Sequence, residues 1–230
     1  MNPSMNLRLP WLTAAACLMS LPLQAALLEF PVNEAVPDGL GSGVADTRTV
    51  AGLPTSVLDL RIRLNLAGAA LGGMINGDIY ATVAYESTPG QIDAFTVLLN
   101  RAGRSASNPD GYFDNGFNVS FTVAGADIHT YQDSVIPAPL SPLTGEWSPD
   151  GRETDPGLSL DTDVRTAGLG GFQSINPNGR WTLFVADLVP GGEAGLVSWG
   201  IEYTPVPEPA HWAAFAGLGL VGWAILRRRP

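Results

Sequence analysis

The segment VLDLRIRLNL, residues 57–66, alternates apolar and polar side chains from Leu58 onward. Leu58, Leu60, Ile62, Leu64 and Leu66 occupy one set of alternate positions, and Asp59, Arg61, Arg63 and Asn65 occupy the other. Successive side chains of a β-strand point to opposite faces, so this pattern predicts a strand with one buried face and one solvated face.

Similar short apolar runs recur along the chain between glycine, proline and asparagine. They predict strands at 78–87, 94–100, 118–125, 180–187 and 196–203, and a candidate edge strand at 47–52. TPGQ, residues 88–91, is expected to form a hairpin connection, and the glycine-rich LVPGGEAG, residues 188–195, to close a last hairpin. Within 118–125 the expected inward residues are Val119, Phe121 and Val123.

No convincing amphipathic helix interrupts these runs. Residues 126–176 are rich in Pro, Gly and Asp, and we expect them to form long loops with one or two short strands. Seven or eight short strands at this spacing predict an all-β chain, specifically an antiparallel β-sandwich or jelly roll over residues 26–204.

The charge of the chain is distributed unevenly. It contains no lysine, and of its twelve arginines four lie at the ends, at Arg8, Arg227, Arg228 and Arg229. Between Glu29 and Glu208, 22 acidic residues against eight arginines leave a net charge of −14. Such a field repels phosphate backbones, so we expect no nucleic-acid partner, whereas divalent cations or simple solvation are compatible with it.

The N-terminus predicts a secretory signal peptide over residues 1–25. A positively charged start is followed by the apolar WLTAAACLMSLPL, residues 11–23, and by the small residues of QAA. We expect cleavage after Ala25, with Ala26 as the alternative. Lipidation at Cys17 is not expected, and without Cys17 the mature chain has no cysteine to form a disulfide.

The C-terminus predicts one transmembrane helix over residues 210–226. This apolar run is near the lower limit for crossing a bilayer core of about 30 Å. Trp212 and Trp223 suit the two interfaces, and Arg227, Arg228 and Arg229 predict a cytoplasmic end. The preceding domain would then face outward. The alternative is a buried core helix.

Residues able to support catalysis are scarce. After signal cleavage the outward part has one histidine, His129, and no nucleophile signature, so we expect a structural role for it and no ordinary zinc site. Calcium is the remaining cofactor hypothesis. Its candidate ligands are Asp150, Glu153, Asp155, Asp161 and Asp163, with Asp110 and Asp114 as a second possibility. Neither group has EF-hand spacing, and solvated acidic loops are the alternative.

The last third of the chain, residues 172–204, resembles the closing segment of the P domain (P/Homo B) that accompanies subtilisin-like proprotein convertases. The matching positions are Asn178, Gly179, Trp181, Leu183, Asp187, Gly192, Glu193, Gly195 and Trp199. Weaker matches extend to residue 36, including Gly77, Asp78 and Ile79 in place of a Gly-Asp-Leu turn. The residues preceding that turn, and the turn after the next strand, depart from the family pattern. We expect Trp181 and Trp199 to cover the core.

The end of the chain, residues 205–230, resembles the PEP-CTERM sorting signal. Val206 and Pro207-Glu208-Pro209 precede the apolar helix and the arginine tail. The resemblance implies a Gram-negative bacterium that makes exopolysaccharide, recognition at Pro207, Glu208 and Pro209, and processing by an exosortase. The prolines keep the recognised segment extended.

These observations favour a non-catalytic exported protein. We expect export by the Sec machinery, a precursor anchored in the inner membrane, and a mature protein in the envelope, at the surface or in the extracellular matrix. There it would act as a structural or binding module toward exopolysaccharide or another envelope protein. The alternatives are a secreted hydrolase of the glycoside hydrolase type, using two carboxylates, and an auxiliary domain that partners a separate protease.

Overall fold

The structure, a computed structural model, describes residues 24–68, 73–206 and Trp223. Within these residues nine strands form two sheets, which confirms the prediction of an all-β chain. The strands are β1 Ala26–Ala35, β2 Val44–Val50, β3 Val57–Gly68, β4 Ile79–Glu86, β5 Ala94–Asn100, β6 Phe117–Asp127, β7 Leu143–Ser148, β8 Gly179–Asp187 and β9 Ala194–Pro205. The larger sheet has the order β1-β9-β3-β6-β7, and the smaller has the order β2-β8-β4-β5. Three short 3-10 helices lie at Asn76–Asp78, Ile128–Asp133 and Leu169–Phe172.

Strand β3 follows the predicted alternation except at its start. Leu60, Ile62, Leu64 and Leu66 are buried, but Leu58 is 56% exposed, which corrects its predicted inward orientation. The register between β3 and β9 shifts between Val57 and Asp59, so Val57 is buried instead. A bulge of this kind adds one residue to one strand and reverses the faces beyond it.

The two predicted core tryptophans are fully buried, one from each sheet. Trp181 on β8 lies 4.9 Å from Tyr85 and 5.6 Å from Phe172, measured between ring centroids. Trp199 on β9 lies 4.8 Å from Phe30. Buried aromatic pairs at these separations contribute packing energy beyond their buried area, so they stabilise the core on which both sheets pack.

The last two strands do not form the expected hairpin. β8 pairs with β2 and β4 in the smaller sheet, whereas β9 pairs with β1 and β3 in the larger sheet. Residues 188–193 therefore carry the chain from one sheet to the other. The predicted hairpin at 88–91 is confirmed, because β4 and β5 are antiparallel neighbours.

One strand pair departs from the predicted antiparallel arrangement: β6 and β7 are parallel. The connection between them, residues 128–142, returns the chain to the end of the sheet where β6 began, and a parallel pair requires a connection of about this length. The same pairing shifts register between Phe121 and Ala126, and Val123, expected to point inward, is 49% exposed.

The pattern did not predict β1, which contains Pro31. A proline lacks the backbone N–H that a central strand must donate, and β1 is an edge strand. Ala26 on β1 lies opposite Tyr203 on β9, so the first and last strands of the sandwich are neighbours. We call the end of the sandwich at Ala26, Val57 and Pro205 the terminal pole, and the opposite end, at Ala35, Gly68 and Ala194, the loop pole.

Several predicted segments lie outside the described residues. These are residues 1–23 of the signal peptide, Pro207, Glu208 and Pro209, the helix 210–226 apart from Trp223, and Arg227, Arg228 and Arg229. In the part of the chain that the structure describes, no helix is both long enough and apolar enough to span a membrane.

We predict that Trp181→Ala destabilises the sandwich by about 3–5 kcal/mol, because it removes one of the two largest fully buried side chains and leaves a cavity. Urea unfolding, with the linear dependence of the unfolding free energy on denaturant, measures this loss. Leu58→Ala is the matched control, and its exposed side chain should give a change within about 0.5 kcal/mol. Equal losses for the two variants would contradict the core position of Trp181.

Candidate functional site

His129 lies in the 3-10 helix Ile128–Asp133 and is fully buried. Its Nδ1 lies 2.6 Å from Asp150 Oδ2, and its Nε2 lies 2.8 Å from the carbonyl oxygen of Arg104. A carbonyl and a carboxylate only accept hydrogen bonds, so both ring nitrogens carry protons. Burial lowers the pKa of His129, but the hydrogen bond and charge of Asp150 outweigh burial and raise the pKa overall. With no nitrogen free to accept a proton, His129 cannot act as a general base.

The partner of His129, Asp150, belongs to a buried charge network. Its Oδ1 lies 3.2 Å from Arg152 Nη1, and Arg152 Nη2 lies 2.9 Å from Asp127 Oδ2. Arg165 Nε donates to the backbone carbonyl of Asp150 at 2.9 Å. Buried charges are tolerated when they are paired and hydrogen-bonded, as they are here, so the network fixes the loop 149–166 against the sandwich.

The five residues of the first predicted calcium group have separate environments. Asp150 is buried in the network above, and the side chain of Glu153 accepts a hydrogen bond from the hydroxyl of Thr166. Asp155 and Asp163 accept turn hydrogen bonds from the amides of Gly157 and Leu160, at 2.8 and 3.0 Å. Asp161 contributes its backbone carbonyl to Arg152.

The second predicted calcium pair is also not assembled as a set of ligands. Asp114 Oδ2 accepts from Tyr131 and Gln132, whereas Asp110 lies in the exposed turn ahead of it. Among the described residues, no three His, Cys, Asp or Glu side chains stand where they could share a metal ion. At the first predicted group, a calcium ion bound by Asp150 would compete with His129 and Arg152 for its carboxylate.

The structure brings together two carboxylates that no sequence pattern connects, Asp78 and Asp187 at the loop pole. Asp187 lies opposite Ile79 in the pairing of β8 with β4, one residue from Asp78, and its side chain is fully buried. Its carboxyl makes no hydrogen bond of good geometry to a described residue, although the backbone amides of Val189 and Ala194 lie close enough to oppose the rise in its pKa. Burial raises the pKa of Asp187 to about 6, and the charge of Asp38 adds to the rise. Burial and the charge of Asp187 raise the pKa of Asp78 to about 6, against the opposing charge of Arg101.

Carboxyl groups with raised pKa values often mark catalytic sites. A catalytic carboxyl group must be accessible to its substrate. Asp78 and Asp187 are almost inaccessible to solvent, because they are 4% and 0% exposed. Arg101 Nη2 lies 3.8 Å from Asp78 and covers it. A glycan substrate therefore has no contact surface on this pair, which speaks against its use as the acid and base of a glycoside hydrolase.

An open cleft of about 310 Å³ lies at the loop pole. Its lining residues are Asn108, Gly111, Tyr112, Phe113, Asp114 and Gln132. The stretch NPDGYFDNG, residues 108–116, contains Asp110 and Asp114, the second pair of predicted calcium ligands. The accessible feature of this stretch is instead Phe113, which is 65% exposed between two polar residues. In the sequence, the signal for the cleft is the aromatic residue Phe113 within a loop rich in Gly, Asp and Asn.

No protein-family model matches the chain, and no curated protein sequence matches it either. Among solved structures, the chain is similar to the serine protease of Aeromonas sobria, with a TM-score of 0.39 and 13% sequence identity. The match covers 81% of this chain and 28% of the protease chain, so this chain spans well under half of that protein.

We predict that Asp150→Asn lowers the unfolding free energy by about 3–5 kcal/mol, because it leaves His129 and Arg152 buried without their shared counter-charge. Asp155→Asn is the control in the same loop, where the side chain is exposed and holds one turn hydrogen bond. Thermal and urea unfolding measure both variants. A loss for Asp150→Asn no larger than that of the control would show that the network does not stabilise the fold.

We also predict that the protein loses stability as the pH rises from 5 to 7.5. The folded-state pKa of Asp187, about 6, lies above its unfolded value of 3.8, so its protonated form stabilises the fold below that value and this contribution is lost as the pH rises through 6. One such group changes the unfolding free energy by about 1 kcal/mol over this interval. Asp187→Asn should reduce the pH dependence by about that amount, whereas the exposed Asp133→Asn should leave it unchanged.

Proposed function

We propose that the chain is a non-catalytic, P-domain-like β-sandwich, of the jelly-roll type, that a Gram-negative bacterium exports and sorts through its C-terminus. The observation that carries the proposal is the position of the sorting motif relative to the fold. β9 ends at Pro205, and Pro207-Glu208-Pro209 follows after one residue. The complete sandwich therefore precedes the motif, and a processing enzyme can act on the motif without breaking a strand.

The arrangement of the chain ends supports the same proposal. Ala26, the first residue after the expected signal cleavage, lies opposite Tyr203 at the terminal pole. A precursor with a signal peptide and a C-terminal membrane helix would be attached to the inner membrane from this one pole. Both attachments could be removed without changing the two sheets.

The state of His129 supports the non-catalytic part of the proposal. Both of its ring nitrogens are hydrogen-bonded within the buried network, and the carboxyl pair with raised pKa values is inaccessible. The partners that the proposal requires are the Sec machinery and an exosortase, followed by exopolysaccharide or an envelope protein at the cell surface.

The intact mass of the mature protein, measured from cells and from the medium, tests the proposal. We expect a species that has lost residues 1–25 or 1–26 and also the segment 210–230. Glu208→Ala should prevent the second cleavage and leave the protein in the membrane fraction. Glu34→Ala, an exposed change on β1, is the matched control and should be processed normally. Retention of residues 210–230 by the wild-type protein in every fraction would refute the sorting proposal.

A further inference from the structure

We propose that the cleft lined by Phe113, Asp114, Gln132 and Asn108 binds a neutral saccharide. The inference deepens the proposed function and rests on it for the source of the ligand, an extracellular polysaccharide. The cleft has a volume of about 310 Å³, at the lower end of the range of about 300–1,000 Å³ for small-ligand sites. It combines one exposed aromatic ring with several amide and carboxylate groups, a combination that matches the alternating C–H faces and hydroxyl groups of a sugar.

Phe113 supplies the apolar surface of the site. Its side chain is 65% exposed, whereas the adjacent Tyr112 packs edge-on against Tyr131 with 4.7 Å between ring centroids. Tyr112 is thus held by the body of the protein, and Phe113 is directed away from it. The negative face of an aromatic ring attracts the weakly positive C–H groups of a pyranose and shields them from water.

The polar residues of the cleft are fixed in place and still have acceptor atoms available. Asp114 Oδ2 accepts from Tyr131 Oη and from Gln132 Nε2, both at 2.6 Å. Asn108 Nδ2 donates to two backbone carbonyls of the same loop. No described residue donates to Asp114 Oδ1, Gln132 Oε1 or Asn108 Oδ1. These oxygens can accept hydrogen bonds from sugar hydroxyls.

The backbone beneath the cleft is hydrogen-bonded to the sandwich, and a site held in place in this way has a lower entropic cost of binding. The amide of Gly77 donates to the carbonyl of Tyr112 at 2.8 Å, and the amide of Asn76 donates to the carbonyl of Asp114 at 3.0 Å. Gly77 and Gly111 approach so closely that a Cβ on Gly77 would lie 2.8 Å from the Cα of Gly111. The loop that carries Phe113 is therefore attached to the sandwich on both sides of that residue.

The charge of the cleft selects for a neutral ligand. Asp114 is the only charged residue among the six that line the cleft, all of which the structure describes. An acidic sugar or a phosphate would meet this carboxylate without a compensating cation, and like charges in a partly desolvated site repel. A hexuronate or a phosphorylated glycan is therefore disfavoured.

The position of the cleft suits a surface polymer. β6 follows the cleft loop and begins opposite Leu66, near the loop pole, whereas Pro205 lies opposite Val57 at the terminal pole. These ends of β3 are about 30 Å apart at the usual strand rise. A protein attached through its terminal pole would present the cleft on the side away from the membrane.

Isothermal titration calorimetry of the full chain, kept in a zwitterionic detergent without a sugar headgroup, tests the inference. The probes are tetrasaccharides of glucose, galactose and mannose, with tetragalacturonate as the acidic comparison. We expect millimolar or tighter binding of at least one neutral tetrasaccharide and none of tetragalacturonate. Phe113→Ala should weaken binding about tenfold, the loss that corresponds to about 1.4 kcal/mol. Gln132→Ala should weaken it in the same direction.

Ile92→Ala is the matched control, because Ile92 is also an exposed apolar residue, 59% exposed, but lies in the β4–β5 connection at the terminal pole. It should bind like the wild type, and all variants should keep the wild-type melting temperature. Absence of binding to every neutral tetrasaccharide, equal affinities for Phe113→Ala and Ile92→Ala, or a preference for tetragalacturonate would each overturn the inference. The titration involves neither export nor processing, so its failure is distinguishable from failure of the sorting proposal.

Discussion

The double pairing of β9 is the constraint on which the rest of the sandwich depends. β9 forms antiparallel ladders with β1 on one side and with β3 on the other. From this position between β1 and β3, Trp199 donates a hydrogen bond of 2.6 Å to Asp46 on β2, a strand of the other sheet. Asp46 also forms an ion pair with Arg48, and Arg48 lies over the ring of Phe30. One strand thus connects the first, second and third strands of the chain and joins the two sheets.

The segment between β7 and β8 contains no strand, yet backbone hydrogen bonds hold it against β5. The amides of Asp150 and Gly151 donate to carbonyls of β5, and the amide of Val97 donates to the carbonyl of Ala167. An unpaired edge strand exposes hydrogen-bonding groups to other chains, and this segment covers the edge of β5. The buried ion pairs of Arg152 keep it there.

The sequence predicted those parts of the fold that depend on the local period of side chains. Strand β3 beyond its bulge, the β4–β5 hairpin and the burial of Trp181 and Trp199 all follow from alternation and turn residues. Pairing between strands that are distant in the chain leaves no such local pattern in the sequence. The parallel pairing of β6 with β7, and the placement of β8 and β9 in different sheets, therefore could not be predicted from it. The alternation of side chains does not predict β1, because Pro31 lies in the middle of that strand.

The candidate site was less predictable than the fold, since spacing along the chain does not report which charges are buried. Asp150 and Asp155 look equivalent in the sequence, yet one is enclosed with His129 and the other is exposed. Asp78 and Asp187 are far apart in the chain, and only the β4–β8 ladder brings them together. The cleft likewise depends on Gln132, which a separate loop places beside Asp114.

The neighbouring positions of β1 and β9 have a consequence for when the protein can fold. The larger sheet lacks β9, the strand between β1 and β3, until nearly the whole sandwich sequence is available, so a shorter N-terminal part of the chain cannot form the complete sheet. Ladders between strands so far apart in sequence also form slowly. If the chain is exported as we propose, it would cross the export channel before β9 is available, and the larger sheet would be completed only on the far side.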